Sequence, residues 1–246
     1  DSNTKLLLNF DRGGGTDIED SSNTGDDGHK ITASGHATIK SSPFGDGKSA
    51  MHFDGSNDKL TMPNSDDFTL GATWTVEFWV NFSVLQDSVF WEQKTSSTAL
   101  NMLWYDHGST RIWIEEDADV YHTWDFNPVV NTWYHVAYSV DSGTPKCFID
   151  GVEADKQATV GSVNFSDISS VATIGMRAAS NRQFDGYLDE FRIVKGTAVY
   201  TGNFTVPTSR LSATQSNQGT NIADITGTAT KLLIHSDRSG ALTDHS

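Results

Sequence analysis

A chain of 246 residues is within the size that an all-β sandwich reaches as one domain, with roughly three quarters of its unfolded surface buried on folding. Its 17 basic and 32 acidic residues give a formal net charge of −15, which argues against nucleic acids and anionic membranes as partners and favours divalent cations. A single cysteine, Cys147, excludes an internal disulfide, and no apolar run approaches the roughly 20 residues that cross a bilayer. Because the amino end has neither an initiator methionine nor a signal-peptide pattern, we expect a processed or excised piece of a longer protein.

A segment near the amino end is repeated near the carboxyl end. Residues 4–12 read TKLLLNFDR, and residues 230–238 read TKLLIHSDR. This self-similarity predicts a tandem array, with a domain at 1–211, a linker rich in Ser, Thr, Gly and Asn at 212–229, and the first strand of a truncated second repeat at 230–246. The alternative is a strand that returns to the sheet of the same domain.

Between the two copies the chain has the pattern of many short strands. After a polar, acidic loop at 17–27, strand-like runs recur about every ten residues and are bounded by Gly, Pro, Asn or Asp. We predict strands at 37–40, 49–54, 59–62, 74–82, 88–93, 100–105, 111–115, 121–126, 133–140, 146–150, 171–176 and 187–194. The strand at 74–82 places its large apolar residues on one face and should be central to the core. Since no long amphipathic helix interrupts the pattern, it predicts an all-β, two-sheet antiparallel jelly-roll sandwich.

The stretch 133–154 is the clearest piece of antiparallel sheet. Its first eight residues alternate between two faces, as in a half-buried strand. A turn-forming cluster follows at 141–145, and Asp150-Gly151 is the dipeptide that best accepts the positive φ values of a tight hairpin turn. The stretch therefore predicts three consecutive strands.

A resemblance to a known family is carried by five short motifs. They are, in chain order, Phe53-Asp54-Gly55, TVEFWV at 75–80, WYHVA at 133–137, a strand ending in Asp150-Gly151, and GYLDEFRI at 186–193. In this order they resemble the laminin-G-like domains of concanavalin A-type lectins and glucanases, and in particular the tandem modules of phage structural proteins and bacterial surface proteins. The resemblance implies a jelly roll, but this fold carries lectins, enzymes and inert spacers alike.

The resemblance also implies a structural calcium ion. In such domains calcium joins the loop after the first strand to an aspartate of the closing strand, which here corresponds to Asp11, Asp20 and Asp189. Hard cations prefer several carboxylate and carbonyl oxygens, and acidic residues cluster after the first strand. The alternative is that these carboxylates are solvated and cap turns. The turn at 54–58 has side chains that suit sugar or metal, although such a sequence is more often only a turn.

The densest mixture of aromatic and polar residues lies between Trp104 and Phe126. Sugars present apolar C–H faces and hydroxyl groups, so their sites pair an aromatic ring with fixed polar groups. Trp113 lies between two isoleucines, so strand alternation must turn either Trp113 or both isoleucines outward. We expect Trp113 to face outward, with Trp104, Tyr105 and Arg111 beside it as a ligand-binding group. The alternative is that these tryptophans belong to the core.

Catalysis is a remote alternative. The glucanases of this fold use a strand motif Glu-x-Asp-x-Glu, in which alternation places three carboxylates on one face. This chain has Glu115, Asp117 and Asp119 at the matching positions, with the shorter aspartate in place of the acid. The stretch also lacks the apolar flanks that raise the pKa of a buried acid. We therefore expect no enzyme activity, and read the stretch as an acidic hairpin tip.

These observations predict a non-catalytic carbohydrate-binding or adhesion module of a multi-repeat protein on a virion or cell surface. Its partners would be a glycan or polysaccharide and the neighbouring repeats or subunits, without nucleic acid or membrane insertion. The alternative from another class is a structural decoration or fibre module whose terminal strand docks on a neighbouring subunit.

Overall fold

The computed structural model describes residues 8–9, 18, 29–41, 49–117, 119–177, 182–208, 211–217, 219–226 and 229–235. Along the chain, the strands are β1 (Leu8–Asn9), β2 (Thr32–Ser34), β3 (Thr38–Ser41), β4 (Ser49–Asp54), β5 (Lys59–Met62), β6 (Trp74–Phe82), β7 (Ser88–Ser96), β8 (Ala99–Asp106), β9 (Arg111–Glu116), β10 (Val120–Asp125), β11 (Trp133–Asp141), β12 (Thr144–Ile149), β13 (Val152–Glu153), β14 (Lys156–Val160), β15 (Ala172–Ile174), β16 (Asp185–Lys195) and β17 (Thr230–His235). One short 3-10 helix, Asp66–Phe68, precedes β6. Within the described residues no helix is long and apolar enough to cross a membrane.

Two sheets form the sandwich. In the described residues the first sheet has nine strands, in the order β1-β17-β16-β6-β11-β12-β13, with β4 beside the first half of β16 and β3 beside β4. The second sheet has eight described strands, in the order β14-β10-β9-β8-β7-β15-β5-β2. All pairs are antiparallel except β1 with β17. The predicted all-β jelly-roll sandwich is confirmed.

The core lies between the inward faces of the two sheets, as the alternation of β6 predicts. Val76, Phe78, Val80 and Phe82 all point inward and are fully buried. Phe78 stacks on Phe191 of β16, with ring centres 5.2 Å apart and planes 6° from parallel. Phe78 also lies 4.8 Å from the ring of Phe90 on β7, so β6 contacts aromatic side chains of both sheets.

The hairpin turns follow the predicted chemistry. Asp150 and Gly151 have φ values of 50° and 78°, which a tight turn between β12 and β13 requires. A Cβ at Gly151 would lie 2.2 Å from the carbonyl oxygen of Phe204, so only glycine fits there. Cys147 is a free, buried residue of β12, as its place in the alternation suggests.

Two strands were missed from the sequence. Strand β2 is three residues long, and β14 is an edge strand whose residues are mostly exposed. Such segments bury little apolar surface, so their sequences carry no strong period. Their pairing partners β5 and β10 hold them in the second sheet.

The chain after β16 covers part of the outer face of the first sheet, and we call its described residues between 199 and 225 the covering segment. Val199, Tyr200, Ile222 and Ile225 form a second apolar cluster with residues of that face, including Phe148. Ile222 and Ile225 belong to the expected linker 212–229. Because these apolar residues are buried against the sheet, the described parts of the linker pack on the domain. The boundaries predicted for the domain and its linker stay a prediction.

A buried ion pair lies under this covering segment. Arg192 Nε donates to Glu77 Oε1 at 2.8 Å, and both side chains are fully buried. Arg192 Nη1 donates to the Ser212 carbonyl at 2.7 Å, while Glu77 Oε2 accepts from the Tyr200 hydroxyl at 2.7 Å and lies 3.2 Å from His135 Nε2. Burial alone would raise the pKa of Glu77, but Arg192, His135 and Tyr200 lower it to about 2.

The repeated segment at the carboxyl end also belongs to this sheet. Strand β17 pairs antiparallel with the second half of β16, with Ile193 opposite Leu232. The described part of 230–246 therefore matches the alternative expectation, a strand in the sheet of the same domain. Residues 236–246 lie outside the described residues, and a truncated second repeat stays a prediction.

Candidate functional site: an aromatic patch on the second sheet

The outer face of the second sheet carries three aromatic rings on neighbouring strands. Trp104 of β8 is paired with Trp113 of β9, and the rings stack at 5.1 Å with planes 27° apart. The ring of Tyr121 on β10 lies 5.6 Å from that of Trp113. Side chains along each strand alternate between the two faces of the sheet. Ile112 and Ile114 therefore fill the core, while Trp113 points outward, as expected. We call Trp104, Trp113, Tyr121, Arg182 and Glu115 the tryptophan patch.

Arg182 covers one end of the tryptophan patch. Its guanidinium carbon lies 3.7 Å from the centre of the Trp104 ring, which leaves Trp104 only 5% exposed. Its Nη1 lies 3.8 Å from Glu115 Oε2. Burial lowers the pKa of Arg182, and the charge of Arg177 acts in the same direction. The half-exposed rings of Trp113 and Tyr121 therefore lie beside a fixed cation and a carboxylate.

Two of the predicted ligand residues have other surroundings. Tyr105 is fully buried and faces the core, with its ring 5.2 Å from Phe82, because the alternation that turns Trp104 outward turns Tyr105 inward. The expectation that Tyr105 lies beside Trp113 on the outer face was therefore wrong. Arg111 is half-buried at the edge of the same face, with Nε 3.6 Å from Asp125 Oδ1. Sequence reasoning missed Arg182 altogether, since it comes from a distant loop.

The carboxylates of the glucanase-like motif do not share a strand face. Strand β9 ends at Glu116, and Asp117, with φ of 53°, and Asp119 lie in the turn before β10. Asp117 Oδ1 accepts a hydrogen bond from the Leu100 backbone N–H at 3.2 Å. Because the alternation stops before Asp117, the motif forms a hairpin tip and does not line up three acids.

The expected calcium ligands are only partly described. Asp11 and Asp20 lie outside the described residues. Asp189 is 5% exposed and accepts a hydrogen bond from the Glu190 backbone N–H at 2.8 Å. The set Asp11, Asp20 and Asp189 stays a prediction.

A second carboxylate group lies at the turn after β4. Ligand atoms of His36, Asp54 and Asp58 lie within 4.8 Å of one another, and two of them are carboxylate oxygens, which calcium prefers, while the third is an imidazole nitrogen. These groups also hold the turn, since Asp58 Oδ2 accepts from the Asp54 backbone N–H at 2.7 Å and Asp54 Oδ2 lies 3.0 Å from His36 Nδ1. The arrangement is compatible with a cation and is equally explained as a hydrogen-bonded turn.

An aromatic strip on the opposite sheet was also missed. On the outer face of the first sheet, Trp133, Asn81, Tyr187 and His52 lie side by side on four neighbouring strands. The Tyr187 ring is 4.9 Å from His52 and 6.5 Å from Trp133. The signal was present in the sequence, because these residues alternate with core residues. Finding it required the register between distant strands.

Comparison with known proteins supports this architecture. The model of a family described as the concanavalin A-like lectin/glucanases superfamily matches residues 54–199. A comparison with curated protein sequences gives no match.

Solved structures share the fold. Domain 4 of AbnA, a GH43 extracellular arabinanase from Geobacillus stearothermophilus, in complex with arabinotriose, is similar with a TM-score of 0.59 and 20% identity over 80% of this chain and 95% of that one. The binding domain of Paraclostridial Mosquitocidal Protein 1 gives 0.59 and 12% identity, covering 80% of this chain and 49% of that one. The botulinum neurotoxin serotype D binding domain gives 0.54 and 13%, with coverages of 80% and 49%.

This chain thus spans about half the length of the two toxin chains. At these identities the likeness establishes the fold alone. The family match covers more than half of the residues, and the motifs at 75–80, 133–137 and 186–193 lie within it. The chain belongs to the concanavalin A-like lectin/glucanases superfamily.

Proposed function

We propose that this domain is a non-catalytic carbohydrate-binding module, and that the tryptophan patch is its glycan site. The observation that carries the proposal is the outward-facing Trp113 ring, held by Trp104 below and Tyr121 beside it. A half-exposed flat ring offers an apolar platform for a sugar face, and the ion pair between Arg182 and Glu115 offers a donor and an acceptor for hydroxyl groups.

The similar structures support a binding role. One is a domain in complex with arabinotriose, and two are binding domains of toxins. The parent protein would carry several such modules on a virion or cell surface, where weak single sites gain strength through repetition. A structural decoration module and a glucanase are the competing functions.

Replacing Trp113 by alanine should weaken glycan binding by about tenfold or more, because the sugar loses its stacking partner. The measurement is a glycan-array screen that includes arabinotriose, followed by titration of the best glycan with the full chain. Trp133→Ala is the matched control, since Trp133 is another half-exposed tryptophan, on the opposite sheet.

Three outcomes of this experiment are informative. Loss of binding in Trp113→Ala with retention in Trp133→Ala supports the tryptophan patch. The reverse result would move the site to the first sheet. A folded wild-type chain that binds no glycan would favour the structural module.

We also propose that a calcium ion stabilises the domain. At a calcium concentration one hundred times the dissociation constant, the free energy of unfolding should rise by about 2.7 kcal/mol. The increase is measured by urea unfolding in calcium and after chelation. If Asp189→Asn abolishes it and Asp58→Asn does not, the ion lies at the predicted set with Asp11 and Asp20, and the opposite pattern places it at the turn after β4. An unchanged stability on chelation would contradict the proposal.

A further inference from the structure

Strand β17 occupies a well-defined position at the second half of β16. Its backbone pairs with 191–194, and the side chain of Leu232 enters the core with no exposed surface. On the other side of β16 lies the core strand β6. The position therefore completes the core and is not a simple addition to the sheet edge.

Three side chains of β17 make contacts that define which sequence fits. Thr230 is buried, and its hydroxyl donates to the Ala213 carbonyl at 2.7 Å. Lys231, at the irregularity opposite Ile193 and Val194, places Nζ 2.9 Å from Asp67 Oδ1. With Leu232 in the core, these contacts select a strand that begins Thr-Lys-Leu.

The same sequence occurs a second time in this chain. Residues 4–7 and 230–233 are both TKLL. The described part of the first copy, β1, lies parallel to β17, with Leu8 opposite Ile234 and Asn9 opposite His235. These partners are the residues that correspond in the repeat, so residues 8–9 and 234–235 pair in the register of the sequence alignment of the two copies.

We propose that the position beside β16 is a binding site for an extended strand of sequence TKLL, that residues 4–9 fit it as well as 230–235 do, and that the same segment of a second copy of this chain can bind there. Moving the first copy one strand inward, without changing its register, would place Lys5 and Leu6 where Lys231 and Leu232 now lie. Strand β1, the described part of the first copy, already runs in the same direction as β17. Binding adds a strand to the sheet through backbone hydrogen bonds, and the pocket for leucine gives specificity.

Within the described residues there is one such position, and two segments of the sequence fit it. The segment that does not occupy it would have backbone groups available to another chain. Exchange between copies would link chains without any new interface, as in domain swapping. This inference is independent of glycan binding, because the tryptophan patch lies on the other sheet.

The first test uses Leu6→Asp, Leu232→Asp and the double variant of the full chain. Each single variant should lower the midpoint of thermal unfolding by no more than about 4 °C, because the intact copy takes the position. The double variant should lose far more than the sum, or fail to fold, since an aspartate would then enter the core. Leu60→Asp, at a buried position of the second sheet that has no second copy, is the control and should be as damaging as the double variant.

The inference is overturned if Leu232→Asp alone is as damaging as the double variant. A second experiment tests binding in trans with a labelled TKLLLNFDR peptide and its TKDLLNFDR counterpart. The first peptide should bind the double variant and raise its midpoint, while the second should not. Equal behaviour of the two peptides would contradict the site.

Discussion

Replacing Arg192 by methionine is expected to lower the free energy of unfolding by about 3–5 kcal/mol, because it leaves the Glu77 carboxylate buried without its cation. Both side chains have no exposed surface, so water cannot solvate the remaining charge. The loss also frees the Ser212 carbonyl and the Gln215 side chain, which accept from Arg192 at 2.7 and 3.1 Å. Urea unfolding of the full chain measures the change.

Arg111→Met is the matched control for Arg192→Met. Arg111 is half-buried and faces Asp125 at the rim of the second sheet, so its loss should cost no more than about 1 kcal/mol. The double variant Glu77→Gln with Arg192→Met should recover part of the loss, since it removes both charges. If Arg192→Met is no more damaging than Arg111→Met, the ion pair does not hold the covering segment.

Acidification from pH 4.5 to 2 is expected to remove about 3 kcal/mol of stability through Glu77 alone. The folded protein holds the pKa of Glu77 at about 2, below its ordinary value of 4.5. The unfolded chain therefore takes up this proton first, so the stabilisation is complete above pH 4.5 and is lost as the pH falls towards 2. One pKa unit corresponds to about 1.4 kcal/mol.

The size of this pH dependence provides the control. In Arg192→Met, loss of the guanidinium should raise the pKa of Glu77 from its value in the wild-type chain, so less stability would be lost at this site on acidification. In Glu77→Gln, position 77 should contribute nothing to the pH dependence of the free energy of unfolding. Stability measured by urea unfolding at several pH values distinguishes the three proteins. A wild-type and a Glu77→Gln chain with the same slope between pH 4.5 and 2 would contradict the assignment to Glu77.

Most of the fold could be predicted from the sequence because the residue pattern of each long strand indicates which of its faces is buried. The alternation in β6 and β11 and the Asp150-Gly151 turn are local signals, and they led to the sandwich without knowledge of strand pairing. No local signal in the sequence indicated the position of β17. Its sequence predicted the first strand of a new repeat, with a return to the same sheet as the alternative, and its pairing with β16 depends on residues far away along the chain.

The candidate site was predicted in part for the same reason. Trp113 faces outward because its isoleucine neighbours fill the core, which is one of the two arrangements that strand alternation allowed and the one we expected. Tyr105 was misplaced because residues that are adjacent along a strand face opposite sides, so a dense aromatic segment divides between the core and the surface. Arg182 reaches Trp104 from a loop far along the chain, and no local pattern indicates such a contact.

The covering segment after β16 determines where this domain can be cut. A recombinant protein that ended at residue 211 would lose the Ser212 and Gln215 acceptors of Arg192, together with Ile222 and Ile225. It would uncover Tyr200, which pairs with Ile222, as part of an apolar surface that invites aggregation. The portable unit for grafting, display or fusion therefore extends through at least residue 235, the end of β17, beyond the stretch that the family model matches.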